Sequence, residues 1–203
     1  MEMTAARVTD RLICAEALVD VKNWKARRLA DYDKKKAEKA IQALNKLPIT
    51  IVDGQWSTAE IKSKIMQEQL NGLDLVIIDF LTRINEPRRG NMSTHDLVGG
   101  VAQRLQSIAI NLNVPILTLA QLSRGVEKRE NKKPVLSDLR ESGNIEEACD
   151  KVLFIYREEY YNKYTKNAGV AEIIIAKNRD GPIGTREIAF IDTSATFRDL
   201  ARR

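Results

Sequence analysis

The stretch LDLVIIDF, residues 73–80, is a continuous apolar run that closes on an acid, Asp79. Runs of this kind form strands covered on both faces of a parallel sheet. In an open α/β sheet, ligands gather at the carboxyl ends of such strands. A carboxylate held there can order a water of a magnesium ion bound to the β- and γ-phosphates of a nucleotide. The next apolar run, VPILTLA, leads directly into Gln121, a neutral side chain that can contact a γ-phosphate without repelling it. An acid and an amide at successive strand ends are the chemistry of a nucleoside triphosphatase.

The elements that must position these two residues follow from the apolar spacing. From Thr4, an N-cap, to about Val21, the residues Val8, Leu12, Ala15, Leu18 and Val19 recur at helical intervals. Residues 31–47 bring Ala37, Ala40, Ile41 and Leu44 to one helix face, and the lysines between them form either a solvated face or a DNA-binding cluster. PITIVDG, 48–54, is expected as a short strand, and STAE at 57–60 is a capping box that opens a helix to about Leu70. After the Asp79 strand, Leu97, Val101, Leu105, Ile108, Ala109 and Leu112 continue a helix that ends at Asn113, before the strand VPILTLA. Residues 123–144 form a long, polar, basic connection, and long connections inside compact domains are more often functional than idle. A helix over 145–149 and the strand KVLFIY follow, and then AEIIIAK and TREIAFI flank NRDGPIG, whose Asp-Gly and Gly-Pro steps mark a hairpin. Strand and helix alternate, so the expected class is α/β, a mostly parallel sheet flanked by helices and closed by an antiparallel C-terminal hairpin. No repeat or linker divides the chain, and one domain over 1–203 is expected.

Composition narrows the function classes. With 43% apolar and 30% charged residues in 203, the chain can bury a real core. Its net charge of +5 permits a polyanionic partner without requiring one. Cys14 and Cys149 stand far apart with no CxxC spacing, so neither a zinc site nor a disulfide framework is indicated. His95 is the only histidine; this excludes a histidine-based triad and any multi-histidine metal cluster within the chain, and a surface position near a helix start is expected for it. No apolar run is long enough to span a bilayer. A cytoplasmic protein without a membrane partner is expected.

Five stretches carry a more specific signal: EMTAARVTDRLICAEA, LDLVIIDF, NVPILTLAQLSR, PVLSDLRESGNIEEACDKVLFIYREEYYN and AEIIIAKNRDGPIGTREIAF. In this order they resemble the C-terminal, RecA-like motor domain of DnaB-type replicative DNA helicases, over nearly the whole chain. The resemblance implies a three-layer RecA-like fold, ATP and Mg2+ as cofactors, single-stranded DNA as track and a hexameric ring as the working assembly. A primase and a helicase loader are the implied partners of the intact protein. Residue by residue, Glu2 matches the glutamate that polarises the attacking water. Asp79 matches the metal-associated acid and Gln121 the γ-phosphate sensor. Arg11 matches a position where an arginine stacks on the nucleotide base, or is a plain solvated arginine. Lys177 and Arg179, one residue apart and so on one strand face, match the pair that reaches a neighbouring subunit's γ-phosphate. Arg140, Glu141 and Gly143 match the loop that tracks DNA: arginine meets phosphate, glycine lets backbone N–H groups approach, and glutamate braces the arginine. Arg124, Lys128, Arg129, Lys132 and Lys133 either add charge to the channel or are solvated.

One part of such a motor is missing from the sequence. The glycine-rich loop ending in Gly-Lys-Ser/Thr, which grips triphosphate, occurs nowhere in the 203 residues. The resemblance places that loop upstream of Glu2, so the chain is expected to begin just beyond it, without the primase-interacting domain and linker helix. FLTRINEPRRG also follows Asp79 where a Tyr-Leu-Gln start is more usual. The expectation is an ATP-dependent DNA helicase motor that as this fragment has little or no ATPase activity. The alternative is an inactive remnant that binds single-stranded DNA or joins rings. A recombinase-type filament ATPase fits LRESG and AKNRDG less well.

Overall fold

The computed structural model describes residues 3–87, 90, 93–142 and 145–200, with residues 140–142 described through their backbone. The chain forms two compact units, one of residues 54–156 and 174–185, the other of residues 3–53, 157–173 and 186–200.

In the first unit, helix α4, Thr58–Gln69, starts at a capping box in which Ser57 and Glu60 satisfy each other's backbone N–H groups. Strand β1, Val76–Ile78, pairs in parallel with β2, Ile116–Thr118, in the register Val76 to Ile116 and Ile78 to Thr118. Between them runs the crossover helix α5, Thr94–Leu112. Its end is set by Asn113, which takes the left-handed conformation (φ 50°) that a short polar side chain tolerates. Of the α5 residues that spacing assigns to the core, Val101, Leu105 and Ile108 are buried, together with Val98 and Ala102 beside them, Ile65 of α4, Leu81, Val114 and Ile145, while Leu97, Ala109 and Leu112 are half-buried. Gln69 ties α4 to the end of α5 by donating to the Leu112 carbonyl at 2.7 Å. The short helix α6, Ile145–Ala148, leads into strand β3, Lys151–Tyr156. Val152 and Phe154 face inward on β3 and pack with Leu122, Leu136, Leu139, Ile174 and Ala176.

In the second unit, helix α1, Ala5–Ala17, is capped by Thr4 and stops where Leu18 turns left-handed (φ 53°). The first helix is therefore shorter than its apolar spacing suggests. Asp20 then accepts from Lys22 N–H and Asn23 N–H and opens the short α2, Val21–Lys25. Helix α3, Asp31–Leu44, lays Ala37 and Ala40 against Ile13, Ala17 and Val19. The small alanines permit that approach, and Trp24 closes the cluster while its indole donates to Asp10 at 2.9 Å. The short helix α7, Glu158–Tyr161, also belongs here.

A second sheet runs β3-β4-β5-β6, with β4 at Val170–Asn178, β5 at Gly184–Ile191 and β6 at Thr196–Arg198. β5 and β6 pair antiparallel, with Phe190 opposite Phe197 and their rings 5.0 Å apart. The chain passes between the units at 53/54, at 156/157, within β4 and within β5.

The expected strand at 48–54 is not one. Residues 48–53 have no ladder among the described residues, and Ile49 donates locally to the Leu47 carbonyl at 2.8 Å. An apolar, β-branched run supplies propensity, but a strand exists only where a neighbour offers its hydrogen bonds.

The two sides of the parallel pair differ sharply. Val76, Ile78 and Ile116 pack on the α5 core, whereas Leu75, Ile77, Leu117 and Leu119 are 48%, 58%, 47% and 44% exposed. Leu105→Ala is therefore expected to cost about 2–5 kcal/mol of stability, while Ile77→Thr should change it by less than about 1 kcal/mol. Urea denaturation of the two variants measures the contrast.

Candidate functional site at the carboxyl ends of the parallel strands

The parallel register decides where the first two candidates stand. Ile78 and Thr118 are paired, Leu119 N–H donates to the Ile78 carbonyl at 2.9 Å, and Leu81 N–H donates to the Leu119 carbonyl at 2.9 Å. These bonds lock the two strand exits together. Asp79 is the first residue past β1, and Gln121 follows β2 by three positions, so both leave the same edge. Asp79 is exposed, and its peptide bond to Phe80 is cis.

Gln121 opens onto a cleft of about 470 Å³ whose described lining is Thr82, His95, Leu122, Ser123, Arg124, Gly125 and Lys128. Asp79 does not line it. Two of these residues went unnoticed in the sequence as site residues. His95, expected on the surface near a helix start, is exposed on the first turn of α5 and shares the cleft with Gln121. Thr82 lies on the 3-10 turn Leu81–Arg83 that follows Asp79. Nothing in local spacing brings positions 82, 95 and 121 together; the β1–β2 pairing does. The arrangement gives hydroxyl, imidazole, amide and two cationic groups around one opening, a surface suited to an anion.

The connection after Gln121 is less slack than its composition suggests. Ser123 caps a 3-10 helix at Arg124–Lys128, and a second spans Leu136–Ser142. Arg140 and Glu141 lie on the second of these, their side chains outside the described residues, as are Gly143 and Glu2 altogether.

Lys177 is the penultimate residue of β4, and Arg179 the first beyond it. Lys177 donates from Nζ to the Glu146 carbonyl at 2.6 Å, on α6. Arg179 Nη1 meets Asp150 Oδ1 at 2.6 Å, and its backbone N–H donates to the Asp150 carbonyl at 2.9 Å. The side chains of Arg179 and Asp150 are 55% and 58% exposed. Such a pair contributes roughly 0–1 kcal/mol and is screened by salt, so a phosphate arriving from outside can displace the carboxylate. Cys149 stands beside this pair, and burial pushes its thiol above the ordinary range, with Lys177 opposing the rise and Asp150 adding to it.

Arg11 is exposed on α1, in the other compact unit.

Among the described residues no three His, Cys, Asp or Glu side chains gather as a metal cage. Nucleotide-bound magnesium does not need one, because waters and phosphate oxygens fill most of its octahedron around one or two carboxylates. Asp79, at the strand edge, fits that use.

The geometry has counterparts. Residues 1–199 match the DnaB-like helicase C terminal domain. The chain is 40% identical to the replicative DNA helicase DnaC of Bacillus subtilis and 38% identical to the replicative DNA helicase DnaB of Geobacillus stearothermophilus, in each case over all of this chain and 45% of the relative. It thus spans about half the length of these relatives. Among solved structures it is similar to one described as a DnaB-like replicative helicase and its interactions with primase, with a TM-score of 0.93 and 37% identity over 98% of this chain and 50% of that one. It is equally similar to a second, described as an ATPase domain, with a TM-score of 0.93 and 37% identity over 98% of this chain and 72% of that one. The architecture is therefore RecA-like, with its parallel pair and its antiparallel C-terminal strands, and the chain belongs to the DnaB-like helicase C-terminal domain family.

Proposed function

We propose that residues 1–203 are the greater part of one ATP-driven motor domain that, as part of a longer protein, moves along single-stranded DNA in a hexameric ring and unwinds duplex at a replication fork in the cytoplasm. The observation that carries this reading is the register of β1 and β2, because it brings Asp79 and Gln121 to one edge of a parallel sheet. In this reading Asp79 is the carboxylate that meets nucleotide-bound magnesium, which supplies charge neutralisation of the phosphates when bound. Gln121 contacts the γ-phosphate without adding negative charge, Glu2 takes the proton of the attacking water, and Arg11 stacks on the base. Lys177 and Arg179 leave their carbonyl and carboxylate partners for the γ-phosphate of the adjoining subunit, where positive charge stabilises the transferring phosphoryl group. Arg140, Glu141 and Gly143 hold the DNA backbone, so binding is indifferent to sequence and falls steeply with salt. A primase and a loader are the partners of the intact ring.

The test uses a chimaera in which these 203 residues follow the part of the Bacillus subtilis relative that they do not match. Rings of this chimaera are expected to unwind a forked duplex only with ATP and magnesium. An assembled ring that hydrolyses no ATP and separates no strands contradicts the motor reading. If that ring still holds single-stranded DNA, the chain is a non-catalytic binding module.

A further inference from the structure

The segment between Gln121 and the Arg140 loop is fastened at one residue. Asp138 is only 5% exposed, and three donors converge on it. Its Oδ2 accepts from Arg129 Nη2 at 2.9 Å and from Val135 N–H at 2.8 Å, and its carbonyl accepts from Ser123 N–H at 3.1 Å. Arg129 Nη2 also donates to the Lys133 carbonyl at 3.0 Å. Leu122, Leu136 and Leu139, which flank these groups in sequence, share one apolar cluster with Val152 and Phe154. A carboxylate withdrawn from water this far is costly unless donors surround it. Here the donors come from both ends and the middle of a single loop.

Position gives this fastening its significance. Ser123 lies two residues after Gln121, and Asp138 two residues before Arg140. A slack polar connection would absorb a shift at the Gln121 strand end in its own soft dihedrals. Closed by Asp138, the same connection moves as one piece. The pair contributes to stability, because Asp138 is buried and needs its donors, but the Arg129 side chain remains 36% exposed, so the link also stands where it can pass a shift along the loop.

We propose that the Asp138–Arg129 pair is a positioning link that holds the Arg140 loop in register with the Gln121 strand end, so that displacement at the phosphate sensor reaches the DNA-contacting loop. This rests on the motor reading above. Neither residue need touch DNA; each acts through the placement of Arg140.

The experiment is fluorescence anisotropy of a labelled oligo-dT with the 203-residue chain across a KCl series, alongside thermal melting. Asp138→Asn keeps the shape and an acceptor for Val135 N–H but loses the charge that holds Arg129. It is expected to weaken binding at least tenfold and to reduce the salt slope by about 0.7, the loss of one phosphate contact on a single strand. Arg129→Ala added to Asp138→Asn should cost no further affinity, since both remove the same link, and Arg129→Lys should retain part of what Arg129→Ala loses. If Asp138→Asn does not fold, Arg129→Gln carries the same comparison. A merely structural pair would lower the melting temperature and leave affinity and slope at wild-type values, which overturns the proposal. Additive losses overturn it too, by making Arg129 a direct DNA contact. If the wild-type chain shows no salt-sensitive binding, the comparison moves to rings of the chimaera, where absence of binding removes the DNA-handling reading and this inference with it; wild-type binding with an unaffected Asp138→Asn removes the inference alone.

Discussion

Replacing Arg179 with Ala in rings of the chimaera is expected to slow ATP turnover roughly a thousandfold, with nucleotide affinity changed far less. The cation is required where charge builds on the transferring phosphoryl group, so its loss falls on kcat rather than on ground-state binding. Stability should barely move, because the Arg179–Asp150 pair is more than half exposed on both sides. Lys177→Ala should have a similar kinetic effect with a larger structural penalty, since Lys177 is partly buried and its ammonium satisfies the Glu146 carbonyl. Steady-state ATPase assays with and without single-stranded DNA separate these effects. A turnover within tenfold of wild type for Arg179→Ala would remove it from the site.

The second large effect concerns nucleotide affinity. The 203-residue chain by itself is expected to bind MgATP no more tightly than about 1 mM, and the chimaera near 1 μM, a difference of roughly 4 kcal/mol. Triphosphate is held chiefly by consecutive backbone N–H groups and a lysine in a glycine-rich loop at a helix N-terminus, and no stretch of this sequence combines them. An exposed carboxylate at Asp79 repels phosphate unless magnesium stands between. Isothermal titration of both proteins with a non-hydrolysable ATP analogue measures the difference. Micromolar binding by the chain alone would mean that phosphate is gripped by groups other than those a glycine-rich loop provides.

Much of the scaffold was readable because its signals are local. KVLFIY became β3 over the expected residues, and Asn113 ended α5 where the apolar spacing ran out. The capping box at Ser57 and Glu60 fixed the start of α4. These features depend on residues within one turn or one pleat of each other. Elements that depend on distant partners were not readable. PITIVDG has the composition of a strand but no ladder among the described residues, while the three-residue β6 pairs with β5 through the Phe190–Phe197 contact and carries little signal of its own. The division into two compact units also left no mark in composition, since two of its crossings fall within β4 and β5 and those at 53/54 and 156/157 carry no linker composition.

The candidate site divides along the same line. The positions of Asp79 and Gln121 at one end of the parallel pair were legible from the strand pattern, but that Asp79 stays outside the cleft onto which Gln121 opens was not. The company of His95 and Thr82 around Gln121 is a property of the folded crossover. Arg129 read as one more basic residue in a polar stretch, and only its contact with the buried Asp138 separates it from its neighbours. The local partners of Lys177 and Arg179, a helix-end carbonyl and an exposed carboxylate, were equally hidden.

In the proposed motor, Asp79 and Arg179 act from opposite sides of a subunit interface, and mixing tests that directly. Chimaeric protomers carrying Asp79→Asn and others carrying Arg179→Ala are each assembled alone and then together, and ATP hydrolysis is followed. Each pure ring should be nearly inactive, and mixed rings should recover a substantial fraction of wild-type turnover, because an intact Asp79 from one variant meets an intact Arg179 from the other. Mixed rings as inactive as the pure ones, with mixed assembly verified, would contradict this arrangement.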